Sequence, residues 1–500
     1  MKIYTSEYDR IGKRNPMIYG QFLEYFHRQI YGGVYDPGNK LSDEDGFRKD
    51  VLKALKDIHV PIIRWPGGCF VSSYHWKDGV GKGRKPSFDK AWRVEEPNTF
   101  GTDEYIKLCR KIGCEPYICT NAGTGTAEEM SDWVEYCNLE TEGRYAKWRI
   151  ENGYPRPHQV KYWSIGNENY GSWEIGAKSE EEWGRLVTEA AKMMKHVDPT
   201  IELTAAALTD LDWNINLLKH SAPFLNWISI HQYWDRIHET NTPADYEAAL
   251  GFTGHTEDSI RKVKGLLMAM GLEKKIKIAF DEWNMKEWYH PKVHTIEQGV
   301  AREEYLYPRD ANDDNSLYTM ADAIFTACFL NAVNRNCDIV GMAAFAPAVN
   351  TRGCIFTWKD GIVLRSTYQV FYLYTNYMGD IVRNAKYQDM ETICVTNSDG
   401  EEERVDAVDV CITEFSDRPG LAVALVNKLE TEYTVVQLDF EAEGEMTGYY
   451  ICGESASSYN DIGHTQVAVR QEQMGTFRRG MEVRLRPHSV EIIQIGCRHR

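Results

Sequence analysis

The sequence predicts an α/β protein: a (β/α)8 TIM barrel followed by a C-terminal antiparallel β-sandwich of jelly-roll-like type. Three observations predict it. Between about residues 17 and 345, short apolar runs alternate with longer helical patterns. Each run ends in side chains capable of chemistry. After about residue 380 the texture changes to period-2 segments broken by Gly, Asp, Asn and Pro turns.

The runs are "MIYGQF" (17–22), "VPIIRW" (60–65), "EPYICTN" (115–121), "VKYWSIGNE" (160–168), "IELTAAA" (201–207), "WISIHQY" (227–233), "IKIAFDEW" (276–283) and "IVGMAAF" (339–345). Near-continuous apolar strands separated by helices imply a parallel sheet covered on its faces, and eight such units imply closure into a barrel. An open doubly wound sheet is the rival, but it ordinarily carries a Gly-rich phosphate loop after its first strand, and "GQFLEYF" is not one. Thr126 with Glu129 and Ser179 with Glu182 fit capping boxes, and "GFRKDVLKALKDI" and "DSIRKVKGLLMAMG" have helical periodicity. In the C-terminal part "DAVDVCITEF", "GLAVALVNK", "YTVVQLDF", "TQVAVRQ" and "SVEIIQIG" read as sandwich strands. The opening "KIYT" alternates in the same way and is expected to pair with them. The expected division is a barrel over 14–378 and a sandwich formed by 1–13 with 379–500.

Composition narrows the function. At 500 residues, with 43% hydrophobic and 26% charged side chains, the chain is ordinary for a globular protein. Its 14 Trp and 29 Tyr are generous, and such amphipathic rings commonly bind sugar faces. A net charge of −17 with no basic run repels nucleic acid and anionic membranes, so a neutral partner is expected, with no nucleic acid and no membrane. The N-terminal stretch lacks the apolar core of a secretory leader, and a cytoplasmic location is expected. Twelve cysteines without C-x-x-C pairs, among them Cys119, Cys328, Cys394 and Cys411 in apolar stretches, read as reduced core thiols.

In a (β/α)8 barrel the active site forms at the C-terminal ends of the strands. The run ends place Glu24 after strand 1, Arg64 and the "PGGCF" turn after strand 2 and Asn121 after strand 3. Asn167 and Glu168 are expected on strand 4, His231 and Tyr233 on strand 6, Asp281 and Glu282 on strand 7, and Asn350 after strand 8. No HExxH, G-x-S-x-G or Walker loop competes, and neither cofactor nor metal is expected. A single glutamate at a strand end is ordinarily a loop carboxylate or a helix cap. Two of them at the mouth of one barrel, among Asn, Arg, His, Tyr and Trp, are what glycosidic cleavage requires: one acid to protonate the leaving oxygen and one carboxylate to attack or activate water.

"WSIGNEN", "DEWN", "RWPGGCF" with "SSYHWKDGVG", and "YGQFLEYFHRQIYGG" resemble the signatures of glycoside hydrolase family 51, of clan A, whose main activity is exo-acting α-L-arabinofuranosidase. The resemblance spans the whole chain. It implies Glu168 as acid/base, Glu282 as nucleophile, Asn167 at the sugar 2-hydroxyl, and Glu24, Arg64, His231 and Tyr233 in or behind the −1 pocket. Cys69, Asn121, Trp283 and Asn350 complete the expected substrate-binding set. It also implies an oligosaccharide substrate, a retaining mechanism and a homo-oligomer, often a hexamer.

Retention requires carboxyl groups about 5 to 5.5 Å apart. Repulsion from Glu282 is expected to keep Glu168 protonated in the resting enzyme. Cys69 replaces an Asn of some members, and Pro347 stands where a pocket Gln is expected, so another glycone (galactofuranoside, xyloside or β-glucan) remains an alternative, as does a non-catalytic sugar-binding protein. Trp65, Tyr233 and Trp283 are expected to shape the −1 site. Trp76, Trp92, Trp173, Trp234 and Trp288, in loops, either stack on neighbouring sugars or pack.

Overall fold

A computed structural model describes residues 1–235, 240–290, 299 and 301–496. Eight parallel strands close into a barrel: β1 (Gly20–Phe22), β2 (Ile62–Trp65), β3 (Glu115–Thr120), β4 (Tyr162–Ile165), β5 (Glu202–Ala206), β6 (Trp227–Asp235), β7 (Lys277–Lys286) and β8 (Val340–Phe345). Two expected boundaries shift. Pro16–Tyr19 form a 3-10 turn, with Pro at the start where no N–H is needed, so β1 begins only at Gly20. Asn167 and Glu168 lie past the end of β4 rather than on it.

Strand alternation divides the barrel's side chains into two layers. Ile62, Tyr117, Tyr162, Trp227, Ala279 and Met342 fill the lumen as one buried cluster, the floor beneath the strand ends. Their neighbours Ile63, Trp65, Ile118, Trp163 and Ile228 point outward into the larger core shared with the helices. Helices Lys49–Asp57 and His255–Ala269 form where the periodicity predicts them. The Ser179/Glu182 capping box is complete, whereas at Thr126 only the forward bond to the Glu129 N–H is made. Glu129 is diverted to His75, 2.9 Å away.

The C-terminal part contains two facing sheets. Seven antiparallel strands run in the order Arg10–Lys13, Ile381–Arg383, Val408–Glu414, Leu421–Asn427, Ser489–Ile495, Glu445–Ile451, Arg470–Thr476. Four run Lys386–Gln388, Lys2–Tyr4, Thr434–Leu438, Met481–Leu485, and Lys2–Tyr4 pairs parallel to Thr434–Leu438, the one departure from an antiparallel pattern within these two sheets. Ile3, Val410, Val423, Val436, Val483 and Ile493 belong to the buried core between them. "TQVAVRQ" is mostly not a strand: His464–Thr465 end a short hairpin and the next strand starts at Arg470. Cys394, expected in a core, is exposed, while Cys119, Cys328 and Cys411 are buried; all are free thiols. Among the described residues no helix is long and apolar enough to cross a membrane.

Candidate active site

The strand ends converge on Arg64. Its fully buried guanidinium donates to Glu282 Oε2 at 2.8 Å and to Asn167 Oδ1 at 2.7 Å, and Nε lies 3.4 Å from Asp281 Oδ2. One rigid planar donor set thus fixes side chains from β7 and from the turn after β4. Tyr233 donates to Glu282 Oε1 at 2.7 Å, so both oxygens of Glu282 are held. Asp281 is fixed by the Tyr117 hydroxyl at 2.7 Å and the Ser229 hydroxyl at 2.5 Å.

Consecutive residues of a strand point to opposite faces, yet Asp281 and Glu282 both turn inward. A bulge explains this: Ser229 pairs with Ala279 but His231 with Glu282, so β7 carries one extra residue against β6. The turn after β4 uses another device. Gly166 (φ 70°) is left-handed, and a Cβ there would meet Asn169 Oδ1 at 2.1 Å and the Trp183 ring at 2.5 Å. Glu168 is also left-handed (φ 45°), a strained backbone that persists because the flanking turn is over-determined.

Glu168 meets His231, whose Nδ1 lies 2.9 Å from Glu168 Oε1 and 3.6 Å from Glu282 Oε2; Nε2 is 3.4 Å from Asp281 Oδ1. Trp173 donates to Glu168 Oε2 at 3.0 Å. The hydrogen bond to His231 works against the proton expected on Glu168. Burial pushes its carboxyl up, but the hydrogen bond and charge of His231 outweigh burial and bring it below its ordinary value. Burial opposes the His231 charge in turn, yet Glu282, Asp281 and Glu168 raise the imidazole to about 10. Asp281, despite burial, is lowered to about 2, chiefly by Arg64. Both shifts act in the same direction, favouring the charged forms of Glu168 and His231 across their 2.9 Å contact.

Glu24 accepts three bonds on one oxygen, from Gly68 N (3.0 Å), Phe70 N (3.1 Å) and Trp92 Nε1 (3.1 Å). Burial and the charge of Glu282 push it up to about 8. Gly67 is required beside it, because a Cβ there would sit 2.3 Å from Glu24 Cγ. Cys69 follows in the same turn, its Sγ within 4.8 Å of carboxylate oxygens of Glu168 and Glu174.

Four expected site residues serve elsewhere. The Asn121 carbonyl oxygen accepts the N–H groups of Gly123, Thr124 and Gly125, and its amide donates to the Tyr74 carbonyl, so it organises the loop after β3. Asn350 binds Arg28 O, Thr357 Oγ1 and Thr357 N, closing the hairpin beyond β8. Trp283, one position past Glu282, turns outward and stacks on Phe329 at 3.5 Å. Trp65 likewise faces outward, stacked on Tyr105. Among the loop rings, Trp76 packs on Trp133 and Trp234 on Phe325. Trp92 and Trp288 stack on each other beside Glu24 and Phe26, and Trp173 is 55% exposed at Glu168.

Sequence reasoning missed Glu174, Ser72 and Arg352. Arg352 is buried with its guanidinium over the Tyr233 and Trp288 rings, 5.0 and 5.2 Å from their centroids. Glu174 lies in the same turn as Glu168, and its three-residue spacing from Gly171, whose carbonyl accepts its N–H, was the available signal. His231, Glu168 and Glu282 each offer an atom within 4.8 Å of the others, a spacing that could suit a metal ion. Arg64 already supplies positive charge there, paired with Glu282 at 2.8 Å.

Residues 54–250 match the Alpha-L-arabinofuranosidase 1 domain and residues 281–489 the Alpha-L-arabinofuranosidase C-terminal domain. The chain is 34% identical to a probable α-L-arabinofuranosidase C of Aspergillus clavatus, over 92% of this chain and 91% of that protein. It is 32% identical to an intracellular exo-α-(1→5)-L-arabinofuranosidase of Acetivibrio thermocellus, over 90% and 94%. The arabinose complex of α-L-arabinofuranosidase from Thermotoga maritima superposes with a TM-score of 0.88 at 34% identity, covering 99% of both chains. Fold and site define the class, a glycoside hydrolase with two carboxyl groups at the mouth of a (β/α)8 barrel. The chain belongs to glycoside hydrolase family 51, the α-L-arabinofuranosidases.

Proposed function

We propose that the protein releases terminal non-reducing α-L-arabinofuranosyl residues from arabino- or arabinoxylo-oligosaccharides by double displacement with retention. The observation that carries the mechanism is separation: carboxyl oxygens of Glu168 and Glu282 lie within 4.8 Å of each other. Inverting enzymes need roughly 6.5 to 9.5 Å to seat a water between the carboxyl groups. Glu282, aligned by Arg64 and Tyr233, attacks the anomeric carbon while Glu168 protonates the departing oxygen. In the second step Glu168 takes a proton from water, the hydroxide attacks the same carbon, and Glu282 leaves as a carboxylate. The proton for the first step comes from the Glu168–His231 hydrogen bond, where a shift toward Oε1 moves no heavy atom. Asn167, its Oδ1 held by Arg64, keeps a buried Nδ2 without a protein partner, a donor available to the sugar 2-hydroxyl.

Cys69 and Pro347 offer no amide to the sugar, so the glycone is chosen by fewer polar contacts than an Asn and a Gln would supply. The exposed Trp173 ring provides an apolar face for the leaving sugar. A division into a catalytic unit over 14–378 and a sandwich formed by 1–13 with 379–500, a cytoplasmic location and a homo-oligomeric assembly complete the proposal. The A. thermocellus relative, an intracellular enzyme, supports the location. The test is digestion of linear α-(1→5)-arabino-oligosaccharides beside a panel of nitrophenyl glycosides. Stepwise loss of single arabinose units and preference for the α-L-arabinofuranoside are expected. Release of internal fragments, or faster cleavage of a galactofuranoside or xyloside, contradicts it.

A further inference from the structure

We propose that Glu174 is a positioning residue that keeps Glu168 able to hold its proton, by placing a second buried carboxylate against it on the side bearing Cys69. The inference rests on the reading of Glu168 as acid/base. In the empty site Glu168 is drawn toward ionisation by the His231 imidazolium, by the Trp173 donor and by Arg64. A general acid with only such neighbours gives up its proton too early. Glu282 opposes them, but its charge disappears when the glycosyl-enzyme forms. Glu174 takes no part in the covalent step, so whatever charge it carries at a given pH is not consumed when the glycosyl-enzyme forms.

The placement is built. A Glu174 carboxylate oxygen lies within 4.8 Å of one of Glu168 and of Cys69 Sγ; Glu174 is 4% exposed, accepts a hydrogen bond from the fully buried Ser72 hydroxyl, and has no ion-pair partner among the described residues. Its loop is locked down, since a Cβ on Gly176 would meet Gly123 Cα at 2.5 Å, and one on Gly123 would meet Ile175 O at 2.5 Å. The groups facing the Glu168–Glu174 pair are Cys69 and Ser72 after β2, Tyr170 and Trp173 of their own loop, His231 on β6, and Asp281 and Glu282 on β7, with Arg64 and Glu24 behind. Of these only His231 and Arg64 carry positive charge: Arg64 pairs with Glu282 and Asp281, and His231 is shared among Glu168, Glu282 and Asp281. Burial first, and then the charge of Glu168, push Glu174 up to about 7. Its charge is therefore largely absent in acid and present in alkali, where Glu168 would otherwise lose its proton.

The test is the pH dependence of kcat/KM for Glu174→Gln, with an unactivated arabino-oligosaccharide and with a dinitrophenyl arabinofuranoside that needs no protonation. On the oligosaccharide the alkaline limb is expected to move to lower pH by about one unit or more, with the acid limb unchanged. On the dinitrophenyl substrate the variant is expected to keep wild-type rates. Glu174→Asp, which retains the charge, is expected to restore most of the alkaline limb, and it serves as the test should Glu174→Gln fail to fold. An unmoved alkaline limb, or equal losses on both substrates, overturns the proposal. Glu168→Gln separates the two readings. If it keeps full activity on the oligosaccharide, the acid/base assignment falls and this inference with it; if it loses that activity while the Glu174→Gln limb stays in place, only this inference falls.

Discussion

Arg64 shows how one side chain can define a site. It bridges Glu282 and Asn167 with a separate nitrogen each, at 2.8 and 2.7 Å, and an ammonium cannot reproduce that planar fork. Arg64→Lys is expected to lower kcat/KM by roughly 10²- to 10³-fold, because the two partners are left buried and misaligned. Steady-state kinetics on a nitrophenyl arabinofuranoside check it. His231 lies 2.9 Å from Glu168, and its charge lowers the Glu168 carboxyl, so under the proposed mechanism His231→Asn removes the cation that favours Glu168 ionisation. The alkaline limb of kcat/KM should move to higher pH in this variant, opposite to its movement in Glu174→Gln, while kcat falls. An alkaline limb that moves to lower pH contradicts the assigned charge on His231.

At the scale of elements, the strand-end rule explains what could be read from the chain. Glu24, Arg64, His231, Tyr233 and Glu282 converge because a parallel barrel leaves them no other place to go. The rule misled at Trp65 and Trp283, since one step along a strand reverses the face and the sequence does not mark where. The bulge that turns Asp281 and Glu282 inward together is equally silent in sequence, as it exists only in the register against β6. Asn121 and Asn350 resemble sugar ligands in type but are consumed by groups of their own and neighbouring loops, a demand set by tertiary path. Glu174 was missed because a tight turn, rather than a strand end, returns it to Glu168. The loop carrying Glu168 yields its own prediction: Trp173→Ala should lower kcat/KM on oligosaccharides about 10-fold through loss of ring contact and of the bond to Glu168, and less on activated aryl substrates, whose leaving groups need little help. Equal losses on both would assign Trp173 to packing alone. At the start of Glu180–Val197, Ser179→Ala should cost about 1 kcal/mol in denaturant unfolding.

For the whole molecule, the buried acids make stability depend on pH in a stated direction. Burial, the largest cause for each, raises Glu24 to about 8, Glu96 and Glu174 to about 7, and Asp89 to about 6. The folded state binds these protons more tightly than the unfolded state, so stability falls as pH rises from the ordinary carboxylate range through these values. His231, raised to about 10, acts in the same direction: its contribution is full below about 6.5 and is lost as pH climbs toward 10. The free protein should therefore melt several degrees lower at pH 9 than at pH 6, and Glu24→Gln should flatten that slope. A higher melting temperature at pH 9 would contradict the burial of neutral acids. The barrel itself was legible in eight apolar runs, and the pairing of the N-terminal "KIYT" with the C-terminal sheets in its alternation. The parallel pairing of Lys2–Tyr4 with Thr434–Leu438 was not, since it joins segments more than 400 positions apart.

The central claim is that Glu282 forms the covalent bond and Glu168 supplies the proton on the opposite side of a single anomeric carbon. It is tested most directly by supplying azide to Glu168→Ala with an activated α-L-arabinofuranoside and determining the anomeric configuration of the sugar azide by NMR. An arabinofuranosyl azide of retained, α configuration is expected, with Glu282→Ala yielding no such product. An inverted β azide from Glu168→Ala would contradict it.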